Sequence, residues 1–403
     1  MNTAIQSIYL ILQIIVYALL LLATLYIFVF AFAGLFYKQI SYAEQPILRK
    51  IAVLIPGYKE DDVIAEVAKD ALSQEYPSEM YDVVIIADSF QPETITHLKK
   101  MPIIVIEVKF DKSTKSKALN EAMAQLTAQY DLAVVLDADN LMATDFLTKV
   151  NAAFEQDYMA VQGHRTAKNM DTPLAILDAV SEEINNHIFR KGHRVLGLSS
   201  AIIGSGMAFR YGFFKKMMSG VTAVGGFDKE IELKMLKNKH TIAYLDDALV
   251  YDEKVQKAEV FSNQRRRWLS AQLHYFRQDI GSSIKALFIH GNVDYFDKAI
   301  QFIQPPRILL LGAVLVSGVI FSLMNYLLGI AQMYSILWIT VGVSCIAAFL
   351  FSIPGSFYNT STLKAMVSLP KGMFLMLGSL LKIKGANKQF IHTKHSAVKT
   401  ASK

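Results

Sequence analysis

The sequence predicts an α/β domain with a mostly parallel sheet, inserted between membrane-crossing helices. Two observations predict it. Short apolar runs rich in β-branched residues recur at Ile51–Ile55, Val83–Ala87, Ile103–Val108 and Ala133–Leu136, with helix-like stretches at Asp62–Ser73 and Lys115–Ala128. Runs of about 4–8 apolar residues alternating with helices of about 10–15 read as βαβ units and a parallel sheet. Separately, no Asp, Glu, Lys or Arg occurs from Met1 through Tyr37, or between Arg307 and Lys364.

A membrane span needs about 20 apolar residues. The first charge-free stretch holds one helix, near Tyr9–Phe36, and the second holds two, near Ile308–Met324 and Tyr334–Ile353, with a turn near Asn325. The first lacks a basic n-region and exceeds the roughly 7–15 apolar residues of a signal peptide, so an uncleaved anchor is expected. The 53% hydrophobic content lies above the roughly 45–50% of soluble domains, and these stretches account for the excess. Met366–Leu381 is apolar but interrupted by Pro370, Lys371 and Gly372; a helix lying in the interface fits it better than a span. The expected layout is an anchor over 1–37, a cytoplasmic domain over 38–290, an interfacial amphipathic segment over 291–306, two spans over 307–353, and an interfacial helix with a basic tail over 354–403.

A net charge of +6 and a pI near 9.0 would suit a nucleic-acid partner, but the positive charges gather beside the apolar stretches. Lys38, Arg49 and Lys50 follow the first, Arg307 precedes the second, and Lys382, Lys384 and Lys388 lie near the tail. Positive flanks face the cytoplasm and suit anionic headgroups, so a bilayer and no nucleic acid is the expected partner. The single cysteine, Cys345, excludes an internal disulfide, as expected of a cytoplasmic domain.

In parallel sheets the ligand sits beyond the carboxyl ends of the strands, so the polar residues after each run are the candidates. After the first come Pro56-Gly57-Tyr58-Lys59-Glu60, a turn whose Tyr58 can stack on a base and whose Glu60 can reach a base or ribose. The second run ends at Asp88, a helix cap or a nucleotide ligand. Lys115, Lys117 and Asn120 open the next helix, where lysines oppose the helix dipole unless an anion is near. Asp137-Ala138-Asp139 follows the fourth run. Two carboxylates there repel each other unless a Mg²⁺ or Mn²⁺ bridges them to phosphate. Gly204-Ser205-Gly206 is either a strand bulge or a close approach to an acceptor sugar. Gly225-Gly226-Phe227-Asp228-Lys229-Glu230-Ile231-Glu232-Leu233 starts a helix with acids in its first turn. Gln264-Arg265-Arg266-Arg267-Trp268 offers cations and an aromatic plate.

In this order and between apolar spans, these motifs resemble the membrane-embedded family 2 glycosyltransferases, a group that includes cellulose, hyaluronan and chitin synthases and the ceramide glucosyltransferases. The resemblance covers roughly Ile51 to Arg277 plus the flanking spans. It implies a Rossmann-like GT-A fold and an inverting transfer from a nucleotide-sugar donor, with uridine preferred. Asp88 matches the base- or ribose-holding aspartate, and Asp137 and Asp139 the metal pair, with Asp139 the direct ligand. Gln264, Arg267 and Trp268 match the Gln-x-x-Arg-Trp motif. The departure is at the base: where the family has Thr-Glu-Asp, this chain has Asp228-Lys229-Glu230. That alignment makes Glu230 the expected base and Asp228 the second candidate.

Three spans are too few to enclose a polar path for a growing glycan, whose unpartnered hydroxyls in lipid cost several kcal/mol each. A membrane lipid or lipid-linked glycan is therefore the expected acceptor. A processive polysaccharide synthase with a homo-oligomer or export partner is the runner-up, and a non-catalytic subunit is the reading of another class. The resulting expectation is an integral protein of a bacterial cytoplasmic membrane with its catalytic domain cytoplasmic. In a background lacking Cys345, a cysteine at position 390 should resist an impermeant thiol reagent added from outside. External labelling there would mean that Met366–Leu381 crosses the bilayer.

Overall fold

The runs Ile51–Ile55, Val83–Ala87 and Leu132–Val135 are apolar and buried on both faces, which fixes where the helices must go. The computed structural model describes residues 3–221 and 225–383; the tail lysines Lys384 and Lys388 lie outside the described residues. Helix α1 (Thr3–Gly34) leads to β1 (Ile51–Tyr58), α2 (Ile64–Ala71), β2 (Tyr81–Asp88), α3 (Pro92–Leu98), β3 (Ile104–Val108), α4 (Lys115–Gln125) and β4 (Leu132–Val135). The second half of the domain comprises β5 (Leu141–Met142), α5 (Phe146–Ala153), β6 (Ala160–Ala167) and α6 (Pro173–Asn186). A π-helical turn at His187–Gly192 then runs into α7 (His193–Val195), followed by β7 (Met207–Arg210), α8 (Tyr211–Ser219), α9 (Phe227–Lys237) and β8 (Ile242–Asp252). Beyond it lie α10 (Ala258–His290), α11 (Val293–Ile303), α12 (Arg307–Leu327), α13 (Met333–Ser352), α14 (Thr360–Met366) and α15 (Leu369–Leu381).

Among the described residues eight strands form one sheet in the order β3-β2-β1-β4-β7-β6-β8-β5. The block β3-β2-β1-β4 is parallel throughout, as expected, and β6 pairs in parallel with β8. Strand β7 runs antiparallel between β4 and β6, and β5 antiparallel to β8, so the far half is mixed. Ile51, Val53 and Ile55 of β1 pack with α2 and α5, whereas Ala52 and Leu54 pack with α4, α8 and α9 on the other face. Burial of both faces is what writes the strands as unbroken apolar runs.

Among the described residues three helices are long and apolar enough to cross a membrane: Ile5–Gly34, Arg307–Leu327 and Met333–Ser352. Asn325 is not at the turn between the last two. It lies inside α12, accepting from the Tyr9 hydroxyl at 2.8 Å, and the chain reverses at Gly329, where φ is +64°. Helices α14 and α15 meet at a 52° bend. Gly372 of α15 lies against Ile308, and Ser379 donates to the Ser262 carbonyl of α10, so α15 packs along the domain-side end of α12.

One buried ion cluster joins β6 to α6 and β8. His164 lies 3.0 Å from both Asp246 and Glu183. Burial alone would lower its pKa, but the two carboxylates raise it to about 9. The imidazolium is thus charged in the fold and titrates near 6.5 when unfolded. Its contribution to stability is fully present below about pH 6.5 and is lost as the pH rises through about 9. The melting temperature in detergent should fall across that window, and His164→Gln should flatten the fall; an unchanged slope in the variant would remove His164 as its cause.

Candidate functional site

The register of the parallel block brings three strand ends to one edge. Tyr58 is paired with Asp88, and Leu54 with Val135 just before Asp137. Lys59 and Ser89, which follow the β1 and β2 ends, both have positive φ, at +55° and +59°. Non-glycine residues in this region cost free energy and mark backbone bent for a purpose. Gly57 allows the β1 end to touch Phe90, whose ring would lie 2.7 Å from an added Cβ. Pro56, Tyr58, Glu60 and Asp88 line a cavity of about 760 Å³.

Asp137 and Asp139 line the same cavity from the β4 loop. The loop is pinned from behind: the Asp137 amide donates to Ser205 Oγ at 2.9 Å, Ser205 donates to Asn140, and Asn140 Nδ2 donates to Asp252 at 3.0 Å. Ser205 is fully buried and lines no chamber, so its part is to hold the acidic loop. Gly204 and Gly206 have φ of +78° and +62°. Gly204 faces a chamber, whereas the Gly206 backbone serves the sheet, donating to Val135 and accepting from Gly163.

Lys115, not Lys117, is the lysine that enters the site. Thr114 caps α4, and Lys115 Nζ reaches Asp137 at 2.5 Å and the Gly204 carbonyl at 2.7 Å. Lys117, two residues on, turns away and donates to the Lys112 carbonyl at 3.0 Å. Asn120 ties α4 to the Met218 carbonyl of α8.

Gln264, Arg267 and Trp268 occupy one face of α10, as spacings of three and four dictate, and all three line the large cavity. Arg265 ion-pairs with Asp178 and stacks 4.5 Å from the Trp268 ring, so the motif carries its own support. Burial lowers the Arg267 pKa; the guanidinium stays charged and is weakly hydrated, which strengthens its pull on an anion.

A second chamber of about 370 Å³ shares Lys115, Asp137, Arg267 and Trp268 with the first, and adds Gly204, Asp228 and Glu232. Glu230, the base expected from the motif, lines neither chamber. On α9 it stands two residues from Asp228, roughly 200° around the helix, and accepts from Lys234 at 2.6 Å. Glu232 shares the Asp228 face but is locked to Lys298 at 2.7 Å. Asp228 is thus the carboxylate of this helix that faces the chamber without so close a cationic partner: Lys229 is 3.7 Å away. An added Cβ at Gly204 would sit 3.7 Å from its carboxyl carbon, so Asp228 and the loop bonded by Lys115 are neighbours.

Sequence reasoning missed the buried ion cluster beside the chambers. Arg165 pairs with Glu182 at 2.9 Å, and Lys254 with Asp252 at 2.8 Å, all buried or nearly so. Burial alone would lower the Arg165 pKa, and Asp252 and Glu182 raise it; burial would raise that of Glu182, and Arg165, Lys254 and Arg190 hold it well below the carboxylate range. The Arg165–Glu182 pair leaves no local pattern, because its partners lie on β6 and α6, whereas Asp252 and Lys254 stand only two residues apart. Asn140, which donates to Asp252, directly follows Asp139.

The comparison with known families identifies the family of the chain. The model described as "Glycosyltransferase like family 2" matches residues 49–271, more than half of the chain. The chain belongs to this glycosyltransferase family. Beta-monoglucosyldiacylglycerol synthases of Nostoc sp. and Synechocystis sp. are 26% identical over 232 residues and 23% over 233, in each case 54% of this chain, and 48% and 47% of theirs. The chain thus spans about half the length of the relatives it matches. The mannosyltransferase PcManGT from Pyrobaculum calidifontis, in complex with GDP-Man and Mn²⁺, superposes with a TM-score of 0.51 over 84% of this chain and 97% of that one at 17% identity. At that identity the likeness is one of fold, and the fold is GT-A.

Proposed function

We propose that this family 2 glycosyltransferase moves a sugar from a nucleotide-sugar donor, with uridine as the base, to an acceptor held in the membrane, inverting the anomeric carbon. The observation that carries the reading is the shared wall. Asp137, Lys115, Arg267 and Trp268 face both chambers, so a donor in the first and an acceptor in the second would meet there.

Tyr58, Glu60 and Asp88 would hold the nucleoside, and Lys115 and Arg267 the diphosphate. Among the described residues no three His, Cys, Asp or Glu side chains are grouped to hold a metal by themselves. Asp137 and Asp139 fit Mg²⁺ or Mn²⁺ nonetheless, because such an ion keeps waters and substrate phosphates as its other ligands. Bound there, it would supply charge stabilisation for the leaving diphosphate. Asp228 would accept the proton of the acceptor hydroxyl as the oxygen bonds to the anomeric carbon and the bond to the diphosphate breaks. Trp268 would give the acceptor sugar or headgroup an apolar floor. Three apolar spans and relatives named as diacylglycerol glucosylating enzymes support a lipid acceptor.

The direct test presents purified protein in vesicles of total membrane lipid with a panel of UDP-sugars. Release of UDP coupled to a glycosylated lipid is the expected result; a long soluble glycan would favour processive synthesis, and no release would favour a non-catalytic subunit. Asp139→Asn should lower transfer by roughly 10²-fold or more, the scale of losing a transition-state contact, with the protein still inserted. Full wild-type activity in excess chelator would rule out the metal.

Asp228→Asn removes the proton acceptor and keeps the shape. It should lower transfer by roughly 10²–10⁴-fold with little change in donor half-saturation. Glu230→Gln loses a helix-surface pair worth about 0.3–0.5 kcal/mol and should stay near wild type. If the two results come out reversed, the motif alignment rather than the chamber geometry identifies the base.

A further inference from the structure

Helix α1 is longer than a bilayer requires. Its 30-residue apolar span extends about 45 Å, against a hydrocarbon core of about 30 Å. The turns from Tyr26 to Gly34 pack on the domain, and they do so at a π-helical turn, His187–Gly192. Such turns are rare and persist at functional sites.

The crossing is tight and specific. A methyl at Gly192 would collide with the Phe30 carbonyl, and one at Gly34 would lie 2.5 Å from the His187 imidazole. His187 Nε2 donates to the Ala31 carbonyl at 2.8 Å. The His193 ring stacks on Phe30 at 3.7 Å and 9°, and its Nδ1 donates to the Ile188 carbonyl at 2.7 Å. The Tyr26 hydroxyl donates to Asp297 of α11 at 2.8 Å, and Gln301 of α11 donates to His193 at 2.8 Å. Both elements gripped by α1 also face the second chamber: the π-turn presents Phe189 and Arg190, and α11 presents Lys298, Gln301 and Phe302.

We propose that α1 positions the acceptor chamber as well as anchoring the chain: Tyr26, Phe30 and Ala31 fix the π-turn and α11, and through them the wall against which the acceptor lies. Gly192 and Phe30 are positioning residues, touching neither substrate. The inference rests on the second chamber being the acceptor chamber, and a variant of the chamber wall tests that reading separately.

Three variants are measured in vesicles of total membrane lipid extract as acceptor, with the UDP-sugar active in the donor panel. Gly192→Ala forces the π-turn and α1 apart, Phe30→Leu removes the stacked ring, and Phe189→Ala removes chamber wall directly. A misplacement of about 1 Å can cost about 10²-fold in a reaction. The expected result is an acceptor half-saturation raised about tenfold or more in Gly192→Ala and Phe30→Leu. Donor half-saturation and the slow release of UDP without acceptor should stay within about twofold; tenfold corresponds to about 1.4 kcal/mol. If Phe189→Ala weakens acceptor use while the other two leave it unchanged, α1 is only an anchor and the chamber reading stands. If Phe189→Ala alters donor parameters alone, the chamber reading fails and this inference with it. Equal loss in donor and acceptor parameters in the α1 variants would mean general disruption and overturn the proposal. Where Gly192→Ala does not reach the membrane, Phe30→Leu decides.

Discussion

The in-register parallel pairing of β1 with β2 and β4 is the constraint on which the rest of the site depends. It aligns Tyr58 with Asp88 and sets Val135, the last residue of β4, beside Leu54, so the loop carrying Asp137 and Asp139 runs on toward the same edge. Parallel strands present their carboxyl ends together, so the loops that follow have to diverge over one crevice. The acidic pair Asp137 and Asp139 can exist there because the loop is clamped from two sides. Ser205 and Asn140 hold its backbone, and Lys115 meets one of its carboxylates. Without that clamp, like charges at a strand end would push the loop open.

The fold was legible where burial writes a pattern. Strands buried on both faces read as apolar runs, and the observed β1 to β4 begin and end within a few residues of those runs. The three apolar helices were legible because stretches long and apolar enough to span a bilayer exclude charge. Strands β6 and β8 were harder to see. Ala160–Ala167 carries Gln162, His164 and Arg165, and Ile242–Asp252 carries Asp246, Asp247 and Asp252, so their polar residues, recruited for ion pairs, break the apolar signal.

At the site, helical phase separates the candidates that the sequence left side by side. Lys115 and Lys117 were both candidates, as were Glu230 and Asp228; each pair is two residues apart on a helix that turns about 100° per residue, and of these four only Lys115 and Asp228 line a chamber. A motif fixes residue types along the chain, but the orientation of a helix on its sheet is set by packing. For α9 the packing signal was present in the sequence. Phe227 and Ile231 are the apolar pair that anchors the buried face. Glu230 and Lys234 form the i, i+4 pair of opposite charge that marks a polar face. For α4 the cue is the cap: Thr114 at the N-cap makes Lys115 the first helical residue, where a side chain projects toward the strand ends instead of along the helix.

The buried ion cluster beside the chambers shows why those distances are held so firmly. Arg165, Glu182, Asp252 and Lys254 are largely withdrawn from water and lie within 3.9 Å of one another as ion pairs. Buried pairs contribute little net stability against an apolar replacement, yet removing one partner costs about 3–5 kcal/mol because the other charge is stranded. Such a cluster therefore resists change one residue at a time and acts as a rigid spacer. It joins β6, α6 and β8, and α6 continues into the π-turn that α1 grips. The membrane helix and the acidic strand end are thus coupled through a short chain of packed and charged groups, each with little freedom to adjust alone. On the proposed reading, that coupling would make the bilayer part of the frame of the site, since a helix held in lipid at one end would set, at its other end, the wall that the acceptor meets.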